Sequence, residues 1–248
     1  MGKEADVGYR LCEQALDAEP NNVLALTLLS VKYEVAVFFG SSTDPKADLK
    51  RADELVSQAL ALDPNFAAAH QMKANILITQ ARPDEAIAED ERALALDPAM
   101  VDAYVGLSGF YANLGQFEKR VEYLDKALRL SPHDPFLGVW YGYKADAYFG
   151  LKQYDQAIEW AHRAIAINPN NNPIAHRNLI AALALTGDEA AAREELRRYL
   201  ALPPTGQRTI AAWKSFKAQI TNEHSDPRIL EGWDRTIEGL RKAGMPEE

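Results

Sequence analysis

Apolar and polar positions along this chain recur in steps of three and four, and the stripes come in pairs separated by short breaks. Tyr104, Leu107, Ser108 and Tyr111 mark one face, Leu114-Gly115-Gln116-Phe117 interrupts it, and Val121, Leu124, Ala127 and Leu128 mark a second. That spacing belongs to amphipathic helices. Ser131-Pro132 ends the second stripe, because proline has no amide proton to donate and disfavours helix in the residue before it. The same reading predicts helix pairs at 67–80 with 84–96, 101–114 with 117–130, 137–150 with 154–167, and 173–186 with 188–202. Ahead of them, 5–17 reads as the second helix of a pair whose first is missing, which suggests a chain cut from a longer protein. Residues 22–39 read as a long apolar helix, Val23 to Phe39, followed by the loop Gly40 to Pro45 with Asp44 as the next cap. Beyond Pro203-Pro204 the register fades. Trp213, Phe216 and Ile220 form one further stripe, and Ile229, Trp233, Ile237 and Leu240 another, with Asp226-Pro227 as its start.

A phrase repeats along these pairs: Ala59-Leu-Ala-Leu-Asp-Pro64, Ala93-Leu-Ala-Leu-Asp-Pro98, Ala127-Leu-Arg-Leu-Ser-Pro132 and Ala164-Ile-Ala-Ile-Asn-Pro169. Pro64, Pro98 and Pro132 are 34 residues apart, Pro169 follows after 37 and Pro204 after 35. Pro20 precedes Pro64 by 44, so that unit carries an insertion. Small residues such as Ala74, Ala86 and Ala93, and again Ala145, Ala157 and Ala164, stand where paired helices must approach closely. A 34-residue period of helix pairs is the tetratricopeptide signature, and the chain resembles that family over about Ala5 to Pro204. The resemblance implies an all-α fold, a right-handed α–α superhelix, with 1–204 as the array and 205–248 as capping helices and tail. Departures are His70 and His176 where an aromatic is usual, and Arg120 where a small residue is expected. The Arg120 stem is expected to lie along the surface with its charge in water. Gly239-Leu-Arg-Lys-Ala-Gly244-Met-Pro-Glu247, after Ser225-Asp-Pro227, also resembles the C-terminus of bacterial proteins in which a class III nucleotide cyclase domain precedes such an array. That resemblance implies a docking or regulatory module of a cytoplasmic signalling protein.

Composition narrows the partner. The formal net charge is −9, which argues against a nucleic-acid backbone, since phosphate binding needs clustered Lys and Arg. No run of about 18 apolar residues marks a membrane span. The lone Cys12 lies in an apolar helical pattern and reads as a small packed residue. No phosphate loop, nucleophile elbow or metal-ligand spacing appears, so no catalytic residue, metal or cofactor is assigned. His133-Asp134-Pro135 reads as a turn with a cap, His162 with Glu159 as a surface ion pair, and Glu89-Asp90-Glu91 as a solvated face.

The expected partner is a protein or peptide. In the family the first helix of each pair lines the concave face, and this register places Gln71, Asn75 and Thr79 there, then Asp102, Val105, Gly109 and Asn113, then Gly142, Tyr143, Asp146, Phe149, Arg177, Asn178 and Ala181. Some members clamp a peptide's terminal carboxylate with Lys, Asn and Arg. Here those sites hold Gln71, Asn75, Gly106 and Gly109, and of the basic set Arg177 alone remains, so that clamp is not expected. Tyr143 and Phe149 beside Asp146 and Arg177 suit an amphipathic helix or an extended segment. The alternative is self-association through exposed solenoid ends, giving a homo-oligomer.

Overall fold

The computed structural model describes residues 3–38, 40–170, 172–203, 207–223 and 225–248. The helix end expected at Phe39, the repeat end and domain border at Pro204, and His224 lie outside the described residues. Among those described, thirteen helices and no strand occur: α1 (Lys3–Ala18), α2 (Val23–Phe38), α3 (Pro45–Leu62), α4 (Ala67–Thr79), α5 (Pro83–Leu96), α6 (Val101–Asn113), α7 (Phe117–Leu130), α8 (Leu137–Gly150), α9 (Tyr154–Ile167), α10 (Pro173–Leu185), α11 (Glu189–Ala201), α12 (Ile210–Ile220) and α13 (Pro227–Lys242). Every predicted pair is present, with ends shifted by a residue or two.

Local chemistry explains these boundaries. Asp44 accepts from the Ala47 amide at 3.0 Å and Asp226 from the Arg228 amide at 2.8 Å, each followed by proline in the first turn. Within the later pairs the turn between helices needs one left-handed residue. Gly115 (φ 67°) and Gly187 (φ 93°) take it without strain, whereas Ala81 (φ 59°) and Lys152 (φ 63°) take it against their Cβ. Asp134 accepts from the Phe136 amide at 2.8 Å and shapes the turn, while the cap itself is Phe136, with no side-chain bond.

The helix pairs are fastened by the same contacts in different repeats. His70 and His176, which replace the expected aromatic, each reach the carbonyl of the preceding proline, Pro64 at 2.9 Å and Pro169 at 3.0 Å. The other ring nitrogen of each meets a second-helix carboxylate, Glu89 at 2.6 Å and Glu195 at 2.5 Å. Tyr104 reaches the Pro98 carbonyl at 3.2 Å from the same position. Two sequence expectations fail here. Glu89-Asp90-Glu91 is not a solvated face, because Glu89 is tied to His70 and Asp90 is fully buried. Glu159 pairs with Arg163 one turn later rather than with His162, which is exposed.

The chain divides into two compact units, 1–110 and 111–248. In the first, Leu26, Leu29, Leu55, Val56, Met72 and Ile76 form the core, with Cys12 packed at its margin. In the second, Leu179, Ile180, Leu196 and Tyr199 of the last helix pair share one core with Ile210, Trp213, Ile237, Leu240 and Met245. Residues 207–248 are therefore continuous with the repeats of the second unit. The tail is locked in place: the amides of Ile210 and Ala211 at the start of α12 donate to the carbonyls of Pro246 (2.8 Å) and Glu247 (2.9 Å).

Candidate functional site

The second helices of the pairs carry a small residue at one repeating position: Ala52, Ala86, Ala157 and Ala192, all with no solvent exposure. In α7 that position holds Arg120. Its side chain enters the helix stack instead of running along the surface, and is 7% exposed. The surface placement expected from its charge is overturned, because a carboxylate awaits it inside. Nη1 of Arg120 donates to Oδ2 of Asp146 on α8 at 2.6 Å, and its guanidinium lies 5.1 Å from the Tyr143 ring centre.

Asp146 gathers two further donors from α10. Arg177 Nη2 donates to Oδ1, and Asn178 Nδ2 donates to the same oxygen at 3.3 Å. The Arg177 guanidinium is 4.8 Å from the Trp233 ring centre on α13 and 5.7 Å from that of Trp213 on α12. Burial works to raise the Asp146 carboxyl, but the charges of Arg120 and Arg177 and the donated bonds hold it below the usual carboxylate range. For Arg177, burial and the like charge of Arg120 outweigh Asp146 and bring the guanidinium below its ordinary value.

Around this triad lies a cavity of about 420 Å³. Asn113, Asp146, Phe149 and Arg177, four of the expected site residues, line it together. Tyr143 stands beneath Arg120. Asn178 has no exposed surface and acts through Asp146, so it is not presented to a partner as expected. Phe149 is also buried, at 3% exposure: its ring packs edge-on to Tyr154, with centres 5.5 Å apart, and against Ala157, Ala181 and Ala182. What it offers outward is a strip of cavity wall, not a free aromatic. In the other unit, Gln71 and Asn75 on α4 and Val105 on α6 are half-buried and Asp102 is exposed.

Family profiles described as tetratricopeptide repeat match residues 46–101, 71–135 and 139–171. The repeats are tetratricopeptide repeats. An Hsp70-Hsp90 organizing protein from Triticum aestivum is 24% identical over 183 residues, 70% of this chain and 31% of that protein. The chain thus spans about a third of the length of the curated relatives it matches. Among solved structures, YrrB, described as a TPR protein with an unusual peptide-binding site, aligns over 75% of this chain and 92% of its own at 21% identity, TM-score 0.54. PilF of Pseudomonas aeruginosa aligns over 85% and 90% at 18% identity, TM-score 0.60. These likenesses establish an all-α tetratricopeptide fold.

In tetratricopeptide terms α8 and α10 are first helices, and α13 lies on both. Gly239 presses on Ala181 of α10, and Arg235 donates to the carbonyls of Phe149 (3.4 Å) and Gly150 (3.1 Å), where α8 ends. The predicted α13 stripe is real, but α13 occupies a face expected to be open. Sequence reasoning therefore missed the α13 side of the cavity, contributed by Ile229, Gly232, Trp233 and Thr236. No described helix is long and apolar enough to cross a membrane.

Proposed function

We propose that this chain is a protein-interaction scaffold that takes an amphipathic helix or extended peptide on the first-helix face of its tetratricopeptide pairs. The observation that carries this reading is the seat of α13. In unit 2 the face formed by α8 and α10 already holds an amphipathic helix, through one close glycine contact and cation-to-carbonyl bonds. A surface that accepts a helix from its own chain has the chemistry to accept one from another. Because α13 covers that face in unit 2, we assign partner binding first to Gln71, Asn75, Asp102 and Val105 in unit 1. Relatives named as organizing proteins of Hsp70 and Hsp90 support a protein partner. The finer assignment, a docking module of a cytoplasmic bacterial signalling protein with a cyclase domain, rests on the Gly239–Glu247 tail and is tested by sequencing the complete gene.

Affinity capture from a bacterial extract with the intact chain tests the binding face. Capture should fall sharply for Gln71→Arg with Asn75→Arg and persist for a control charge reversal at exposed Glu159 on α9. Equal capture by both would remove the assignment.

A second reading has its own observation. Val7 and Leu11 on α1, and Leu24 and Leu28 on α2, are each one turn apart and between 44% and 59% exposed. Such apolar stripes favour self-association. Light scattering across protein concentrations should then show a mass above 27.5 kDa that returns to it in Leu11→Glu with Leu24→Glu. A constant 27.5 kDa would leave the scaffold reading alone.

A further inference from the structure

The unit 2 cavity, at about 420 Å³, falls in the range of small-molecule sites, roughly 300–1,000 Å³. Its charge is not balanced. Arg120 and Arg177 are 7% and 8% exposed and share the single carboxylate of Asp146. Among the described residues that line the cavity, Asp146 is the only acid. Two fixed positive charges therefore meet one negative. Guanidinium groups match carboxylate oxygens in geometry and charge.

The rest of the wall joins an apolar and aromatic part, Phe117, Phe149, Ile229 and Trp233, to the neutral polar side chains of Asn113, Ser225 and Thr236. Gly232 of α13 borders the same space, and a Cβ built there meets nothing within 4 Å. Position 232 thus adds no side chain at the border of the cavity. A bare inorganic anion would satisfy the arginines but leave the aromatic wall unused. A neutral aromatic molecule would fill the wall but leave the charge uncompensated.

We propose that this cavity binds a small organic acid, its carboxylate held by Arg120 and Arg177 and its apolar or aromatic body against Phe117 and Trp233. The site is independent of the peptide-binding reading. It depends on Arg120, a second-helix residue outside the set expected on the first-helix face.

Titration calorimetry on the intact chain tests it, with benzoate, phenylacetate, 3-phenylpropionate and hexanoate as probes and phenylacetamide and sulfate as counter-probes. At least one acid should bind saturably, one per chain, with a dissociation constant of about millimolar or lower for a ligand of this size. Phenylacetamide and sulfate should bind at least about tenfold more weakly. Gly232→Met, which adds a side chain at the cavity border in place of a mid-helix glycine, should melt no lower than wild type and lose binding by about tenfold or more. Arg120→Met should lose it likewise while leaving Asp146 paired with Arg177. Should Arg120→Met unfold, Gly232→Met decides alone. Failure of every acid to bind, equal binding of phenylacetamide or sulfate, or unchanged binding in folded Gly232→Met would overturn the proposal.

Discussion

Gly239 of α13 lies so close to Ala181 of α10 that a Cβ at position 239 would stand 2.6 Å from the Ala181 carbonyl oxygen and 2.7 Å from its Cα. Both obstacles are backbone, so no side-chain rotation relieves them. Gly239→Ala is therefore expected to destabilise the protein by about 1–3 kcal/mol through overpacking, although alanine favours helix by about 1 kcal/mol. Gly232, on the same helix, has nothing within 4 Å of its built Cβ. Gly232→Ala should stabilise by roughly 0.5–1 kcal/mol. Urea denaturation of the two variants checks the pair: opposite signs are expected, and the same sign in both would refute this account of the α10–α13 contact.

The turns between paired helices offer a second comparison. Ala81 and Lys152 hold the left-handed conformation that Gly115 and Gly187 hold in sister repeats. A Cβ in that region costs about 1–2 kcal/mol, partly offset by the extra freedom glycine has in the unfolded chain. Ala81→Gly and Lys152→Gly should each raise stability by roughly 0.5–1 kcal/mol. Gly115→Ala should lower it by more than either gains, since its Cβ would also meet the Asp226 carboxyl carbon at 2.9 Å. Thermal melts of the three variants read this directly.

What the sequence disclosed follows from what its pattern encodes. Helix periods, capping acids before prolines and the 34-residue repeat are local signals, so every helix was legible, including α13 from Ile229, Trp233, Ile237 and Leu240. The surface that α13 covers was not, because an apolar stripe says that a face is buried and not against what. Arg120 and Asp90 depart from expectation for one shared reason: a charged residue type does not by itself place a side chain in water, and both are buried. For Arg120 the register with Ala52, Ala86, Ala157 and Ala192 already pointed inward, and its partner Asp146 lies 26 residues away, beyond any local window. Among the residues expected on the first-helix face, Asn113, Asp146, Phe149 and Arg177 line one cavity. Their grouping came from the register of first helices, and that register is silent about the second-helix arginine that completes it.

The Arg120–Asp146–Arg177 triad sets a third expectation. Asp146→Asn removes the one negative charge and leaves two buried guanidiniums facing each other, which should cost about 3–5 kcal/mol. Arg120→Met keeps Asp146 paired with Arg177 and should cost less. Adding Arg120→Met to Asp146→Asn should recover part of the loss, a coupling that a double-mutant cycle measures. The pH dependence has a definite sign. The folded-state carboxyl is held below its ordinary value, so its contribution is present above the unfolded value and is lost as pH falls through the folded one. Additive losses in the cycle would mean that the three side chains do not act as a unit.

Asp90 gives the opposite sign. It has no solvent exposure, both carboxylate oxygens lack a donor, and burial followed by the negative charges of Asp102 and Glu89 pushes its carboxyl up to about 9. The folded protein thus holds a proton there that the unfolded chain, with a value near 3.8, releases. Stability from this group is complete below the unfolded value and declines as pH rises toward about 9, by up to roughly 1.4 kcal/mol per pH unit. Asp90→Asn cannot ionise and escapes the decline. Its advantage over wild type should therefore grow between pH 5 and pH 8, by about 4 kcal/mol. Taking the difference between variant and wild type cancels the titration of every other group. The neighbouring glycine supplies a structural cross-check, because a Cβ at Gly106 would collide with Asp90 Oδ2. Gly106→Ala alone should destabilise, and Asp90→Ala with Gly106→Ala should recover much of that loss by making room. Urea denaturation between pH 5 and 8 decides the matter: a variant-minus-wild-type difference that does not change with pH would show that Asp90 does not hold its proton in the folded state.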